Sequence, residues 1–176
     1  MTTSLVITIL ANDRPGLVES VSEVVVAHGG EWVDSRMATL AGKFAGILQI
    51  AVPDEQSAAL SNALQNASID GLSVLIEQAQ PGAVPASART LVLDLLGQDR
   101  PGIVHKISQA LAQLDINVEE LETKVFDASM SGERMFQAKA RLNIPSDQAI
   151  ARLRDALEAQ ANELMVDIEL LDDSDS

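Results

Sequence analysis

The residues best placed to do chemistry occur twice. Asp13-Arg14-Pro15-Gly16 and Asp99-Arg100-Pro101-Gly102 each follow a short apolar run and precede an apolar stripe at helical spacing. Proline suits the first helical position because its missing N–H would be unpaired there, and it biases the preceding residue toward extended geometry. Gly16 and Gly102 lack a Cβ, so a ligand could come close to the free N–H groups of a helix start. Asp13 and Asp99 stand beside the positive end of the helix dipole. A free amino acid fits such a place, its carboxylate on helix N–H groups and its ammonium on an Asp, an Asn or a strand carbonyl. The plainer reading is that the tetrapeptide is a good helix start, and its duplication is compatible with both.

Other reactive groups are sparse. There is no cysteine, so disulfides, thiolate nucleophiles and zinc-thiolate sites are ruled out, and His28 and His105 are the only imidazoles. His28 stands before Gly29 at a helix end, where a protonated ring is favourable; His105 lies one turn into a helix, close to Gly102. Glu119, Glu120 and Glu122, with Asp172, Asp173 and Asp175, lack the loop that organises a calcium site and read as solvated faces. Trp32, the sole tryptophan, is expected to be buried. No Ser-His-Asp order, glycine-rich phosphate loop or metal-ligand spacing is present. The expectation is a protein that is not an enzyme and has no cofactor or metal.

The composition sets wider limits. A chain of 176 residues that is 47% hydrophobic can form one medium domain or two small ones. Twelve basic against twenty-six acidic side chains give a formal charge of −14, which repels phosphate backbones and anionic membranes. Direct nucleic-acid and membrane partners are not expected. The first residues lack the features of a secretory signal, and no apolar run reaches the roughly 20 residues of a membrane span, which predicts a soluble cytoplasmic protein.

The two tetrapeptides belong to an internal repeat. Val6 to Val26 overlays Val92 to Ala112 without a gap at an offset of 86, with eight of twenty-one positions identical. Val52-Pro53-Asp54 and Ile144-Pro145-Ser146 later match at an offset of 92, so the second copy has gained six residues between them. Each copy reads as strand, turn, helix, strand, hairpin, strand, helix, strand. The first strands are Ser4 to Leu10 and Leu91 to Leu96, and the helix stripes are Leu17, Val18, Val21, Val25 and Val104, Ile107, Leu111, Leu114. Ala41-Gly42 makes a tight hairpin in copy one, and 127–133 a longer one in copy two. Second helices start after Pro53 and Pro145, with Asp54 and Ser146 as N-caps. The order predicts an α+β chain of two ferredoxin-like βαββαβ domains, antiparallel sheets with helices on one face. The expected limits are 1–79 and 90–171, with a linker at 80–89 and a disordered acidic tail at 172–176.

A strand, then Asp-Arg-Pro-Gly-Leu/Ile-Val, an amphipathic helix and Asp115-Ile116-Asn117-Val118 resembles the ACT domain, and the tandem is similar to two-ACT regulators such as glycine cleavage system repressors. That resemblance implies ligand binding at an interface between two such domains, by the loop after strand one and an Asn opening strand two. By position the ligand set is Asn12, Asp13, Arg14, Gly16 and Leu17 in copy one and Gln98, Asp99, Arg100, Gly102 and Ile103 in copy two, with Asn117. Copy one has Glu31 at the position of that Asn. The resemblance further implies a small amino-acid effector, glycine being the candidate, a DNA-binding activator protein as partner, and a homo-oligomer. A ligand-independent interaction adaptor built from ACT domains is the alternative. Formyltetrahydrofolate deformylases begin with a similar segment, but their catalytic domain has no counterpart in the sequence.

Overall fold

Two units, Met1–Gly82 and Ala83–Ser176, emerge from the repeated pattern in a computed structural model that describes residues 1–67, 69, 71–80, 82 and 88–173. The first unit runs β1 (Thr2–Asn12), α1 (Leu17–Ala27), β2 (Glu31–Leu40), β3 (Lys43–Pro53), α2 (Asp54–Asn66) and β4 (Ser73–Gln78). The second repeats that order as β5 (Arg89–Gln98), α3 (Ile103–Gln113), β6 (Asn117–Asp127), β7 (Arg134–Ile144), α4 (Asp147–Leu164) and β8 (Val166–Asp172). Both sheets are antiparallel, in the orders β2-β3-β1-β4 and β6-β7-β5-β8. The ferredoxin-like plan is therefore present twice.

Alternation along the central strands places the helices. Leu5, Ile7, Ile9 and Ala11 of β1 are buried, while Thr8, Leu10 and Asn12, which alternate with the last of them, are exposed. A two-residue period of that kind gives the sheet one apolar face, and the apolar stripes of the helices cover it. Val21 and Val25 of α1 and Leu60 and Leu64 of α2 share a core with Ile7, Ile9, Leu48 and Ile50. Ile103, Ile107 and Leu111 of α3 and Leu153, Leu157 and Leu164 of α4 share the other core with Leu93, Leu95, Leu142 and Ile144. Trp32 is half-buried against the first core.

Hairpin geometry sets the register. Ala41 and Gly42 both have positive φ, 50° and 77°, as a two-residue turn between twisted strands requires. The ladder from Leu40↔Lys43 follows from it. In the second unit the six additional residues widen this hairpin, closed by the Ala128 N–H donating to the Glu133 carbonyl at 2.8 Å.

Several local expectations are corrected. Val18 and Val104 are 45% and 42% exposed, because α1 and α3 begin at Leu17 and Ile103 and the buried stripe counts by fours from there. Asp54 is the first residue of α2 and not its cap; its Oδ1 accepts from Thr3 Oγ1 at 2.7 Å. Ser146 does cap α4, accepting the Ala149 N–H at 3.2 Å. Asp172 and Asp173, expected to open the tail, are held by arginines: Asp172 closes β8 and meets Arg89 at 2.9 Å, and Asp173 meets Arg141 at 3.1 Å. Residues 174–176 and most of the expected linker, 81 and 83–87, lie outside the described residues.

Candidate functional site

Each Asp-Arg-Pro-Gly turn links the central strand of its sheet to a helix. Gly16 has φ 88° and ψ 0°, Gly102 φ 87° and ψ 4°, the values of the third position in a type II turn with proline before it. The glycine is thus the N-cap, and the proline precedes the helix instead of occupying its first position. An L side chain is strained at that φ, so the turn requires glycine for its own geometry. No side chain caps either helix start, and the space where a Cβ would project is open for 4 Å at both glycines. The next residues, Leu17 and Ile103, are buried. They pin the turn to the core, so in the ligand set they could offer only backbone atoms.

The polar residues around the two turns differ. In the first unit Asn12 Oδ1 accepts from Lys43 Nζ at 2.5 Å, and the Asp13 N–H donates to the Gly42 carbonyl at 3.0 Å. Arg14 and Asp13 are exposed. In the second unit Asp99 is held twice by one residue of the long hairpin: its N–H donates to the Arg134 carbonyl at 2.9 Å, and its Oδ2 lies 3.2 Å from Arg134 Nε. Arg100 reaches Gln98 Oε1 at 3.5 Å. Lys106, on the first turn of α3, pairs with Glu163 near the end of α4. Together these present helix N–H groups beside carboxylates and guanidinium groups, an arrangement suited to holding a small zwitterion.

Asn117 does not join the turn of its own unit. It pairs with Asn143 across the ladder, and Asn143 pairs on its other side with Thr90, eight residues before Gln98. At about 3.3 Å per residue, Asn117 and the turn lie roughly 26 Å apart along the strands, several times the length of an amino acid. Glu31 is equally remote in the first unit, level with Ala51 and Ser4. The first unit gathers Asn12, Asp13, Arg14, Gly16 and Leu17 at one end of its sheet, whereas the second leaves Asn117 at the opposite end from its turn.

Lys43 and Arg134 were missed from sequence. Both open the strand that lies beside the central one, so the hairpin register brings them to the turn; the available signal was a basic residue just after each hairpin. His28 caps α1, its Nδ1 2.8 Å from the Val24 carbonyl, and His105 is exposed on α3. Among the described residues no cluster of metal-ligating side chains is found. Arg89, hydrogen-bonded to Asp147 and facing Asp172, is raised above the ordinary arginine value by those carboxylates. A small apolar cleft of about 30 Å³ opens between α3 and β6, lined by Ile107, Leu121 and Ala138 among others. In the first unit Met37 lies over Gly46, the position that corresponds to Ala138, and packs partly buried against the core. No described helix is long and apolar enough to cross a membrane.

The family model for the ACT domain matches residues 3–76 and 89–170. A crystal structure of an unknown protein from Galdieria sulphuraria is similar over 98% of this chain and 99% of its own, at 28% identity and a TM-score of 0.89. A structure provisionally named as a glycine cleavage system transcriptional repressor is similar over 97% of this chain and 96% of its own, at 22% identity and a TM-score of 0.69. No curated protein matches.

Proposed function

The chain belongs to the ACT-domain family, and from that premise we propose that it is a non-enzymatic regulator that binds a small amino acid and controls transcription through a DNA-binding partner protein. The observation that carries the reading is the pair of uncapped helix starts, each with a left-handed glycine and open space above it. A carboxylate there would meet backbone N–H groups at the positive end of a helix.

Glycine is the leading effector, on the name of the similar structure and on size: an amino acid with no side chain asks least of a shallow turn. Asn117 would receive the ligand's polar end from a second ACT module, because its own turn is out of reach. The charge of −14 disfavours direct contact with DNA and favours action through a protein that does bind it.

Calorimetry with glycine, serine and the branched-chain amino acids tests the ligand. Heat with glycine that disappears in Asn117→Ala supports the reading, and no heat or thermal shift with any of them leaves the ligand-independent adaptor. Capture from cell extract tests the partner, and recovery of no DNA-binding regulator overturns that half.

A further inference from the structure

A polar cavity of about 190 Å³ lies between the end of α3 and the start of α4 in the second unit, lined by Gln113, Asp115, Ser146, Gln148 and Arg152 among others. It is remote from the 98–102 turn. Pro145 follows Ile144, which pairs with Arg89 at the opposite end of β5, about 30 Å along the strand from Gln98. Such a volume holds several waters at roughly 30 Å³ each, which is room for a small amino acid.

The two walls carry opposite charges, each unpaired. Gln148 and Arg152 stand four residues apart on α4 and share one face of it. Asp115 follows α3, whose last turn accepts the Asp115 N–H at 3.1 Å and the Ile116 N–H at 3.0 Å, and it has the left-handed φ of 55° that such a helix end takes. Neither the Asp115 carboxylate nor the Arg152 guanidinium has a partner among the described residues. The neighbouring Asp147 is taken by Arg89 at 3.2 Å, and Ser146 caps the start of α4. An unpaired cation on one helix thus faces the same cavity as an unpaired anion at the end of the other, with a glutamine beside each.

The first unit is built differently at this junction. There α2 begins directly after its proline, and Pro53 Cγ lies 4.0 Å from the place a Cβ of Gly29 would take. Gly29 stands where the second unit has Asp115, Ala27 where it has Gln113, and, counted from the helix start, Ala59 where it has Arg152 and Glu55 where it has Gln148. The second copy has gained a residue, both unpaired charges and both amides in one place.

We propose that this cavity binds a small zwitterion, a molecule such as a free α-amino acid that carries an ammonium and a carboxylate close together. Arg152 and Gln148 donate to the carboxylate; Asp115 and the Gln113 side-chain carbonyl accept from the ammonium. A ligand of one sign would satisfy one wall and leave the other charge unpaired, whereas a zwitterion satisfies both. The site does not rest on the glycine turns.

Backbone amide shifts, followed as glycine or serine is titrated into the full chain, report both ends of the unit separately. Saturable shifts at 113–116 and 146–152 are expected, and neither acetate nor methylammonium alone should reproduce them. Arg152→Gln and Asp115→Asn should each weaken binding there about tenfold, the loss of one hydrogen bond between charged groups. Asparagine tolerates the left-handed region, so the second variant keeps the helix end intact. Shifts confined to 98–106 would support the turn and overturn this site. The absence of saturable shifts at 113–116 and 146–152, an equal response to acetate, or indifference to both substitutions would overturn it as well.

Discussion

Arg134 fastens the long hairpin of the second unit to the turn that starts α3, accepting from the Asp99 N–H through its carbonyl and meeting the Asp99 carboxylate through its guanidinium at 3.2 Å. The first unit keeps only the backbone half of this connection, from Asp13 to Gly42. The second turn is therefore held in charge as well as in position.

Arg134→Ala removes the ion pair and leaves the backbone bond. With the arginine side chain 71% exposed, the loss of stability should be small, about 0.2–1 kcal/mol by chemical denaturation. Hydrogen exchange at 128–133 should accelerate more than that figure suggests, because the hairpin loses its one charged tether to the turn. Unchanged exchange would show that the backbone bond alone fixes the loop.

Gly102→Ala places a Cβ in open space but at φ 87°, so strain is the only penalty. A loss of about 1–2 kcal/mol is expected, from the cost of a left-handed L residue. Gly16→Ala should match it closely, since the two turns share their dihedrals. An effect near zero at either position would mean that the turn relaxes out of the left-handed region.

Gly97→Ala has a different cause. A Cβ there would stand 2.9 Å from Val166 Cβ and 3.0 Å from Val166 Cα, so β8 must move. Overpacking of this kind costs about 1–3 kcal/mol. Val166→Ala in the same chain should recover only part of the loss, because the new methyl group still presses on the backbone of β8; full additivity in the double-mutant cycle would show the two residues not to touch.

Arg89 joins the start of β5 to Asp147 and Asp172. Those carboxylates raise its pKa, and a cation raised above its unfolded value contributes stability that is present below the unfolded pKa and is lost only as pH climbs through the folded one. Arginine stays protonated throughout the neutral and mildly alkaline range, so the stability difference between wild type and Arg89→Gln should stay level from about pH 7 to about pH 10. It should shrink in high salt, since both partners are exposed. A difference that changes across that pH range points to another group.

Much of this architecture is legible along the chain because it is local. The period of two in Leu5, Ile7, Ile9 and the spacing of four in Leu17, Val21, Val25 follow from the geometry of single elements, and the repeat shows that one plan is used twice. Proline and glycine mark the turn for the same reason. They were less informative about where the helix begins: Pro15-Gly16 closes a type II turn before α1, whereas proline alone suits the first helical position equally well.

The two domains, their order of elements and the two glycine turns can be read along the chain, since each depends on contacts among neighbours. Which side chains meet across the sheet is a matter of folding as a whole. Lys43 and Arg134 reach the turns through hairpin register, Val166 requires a glycine at 97, and Asn117 lies a sheet's length from the turn it was grouped with. Such pairings depend on how strands slide past one another, and that is settled by the packing of the whole sheet against its helices.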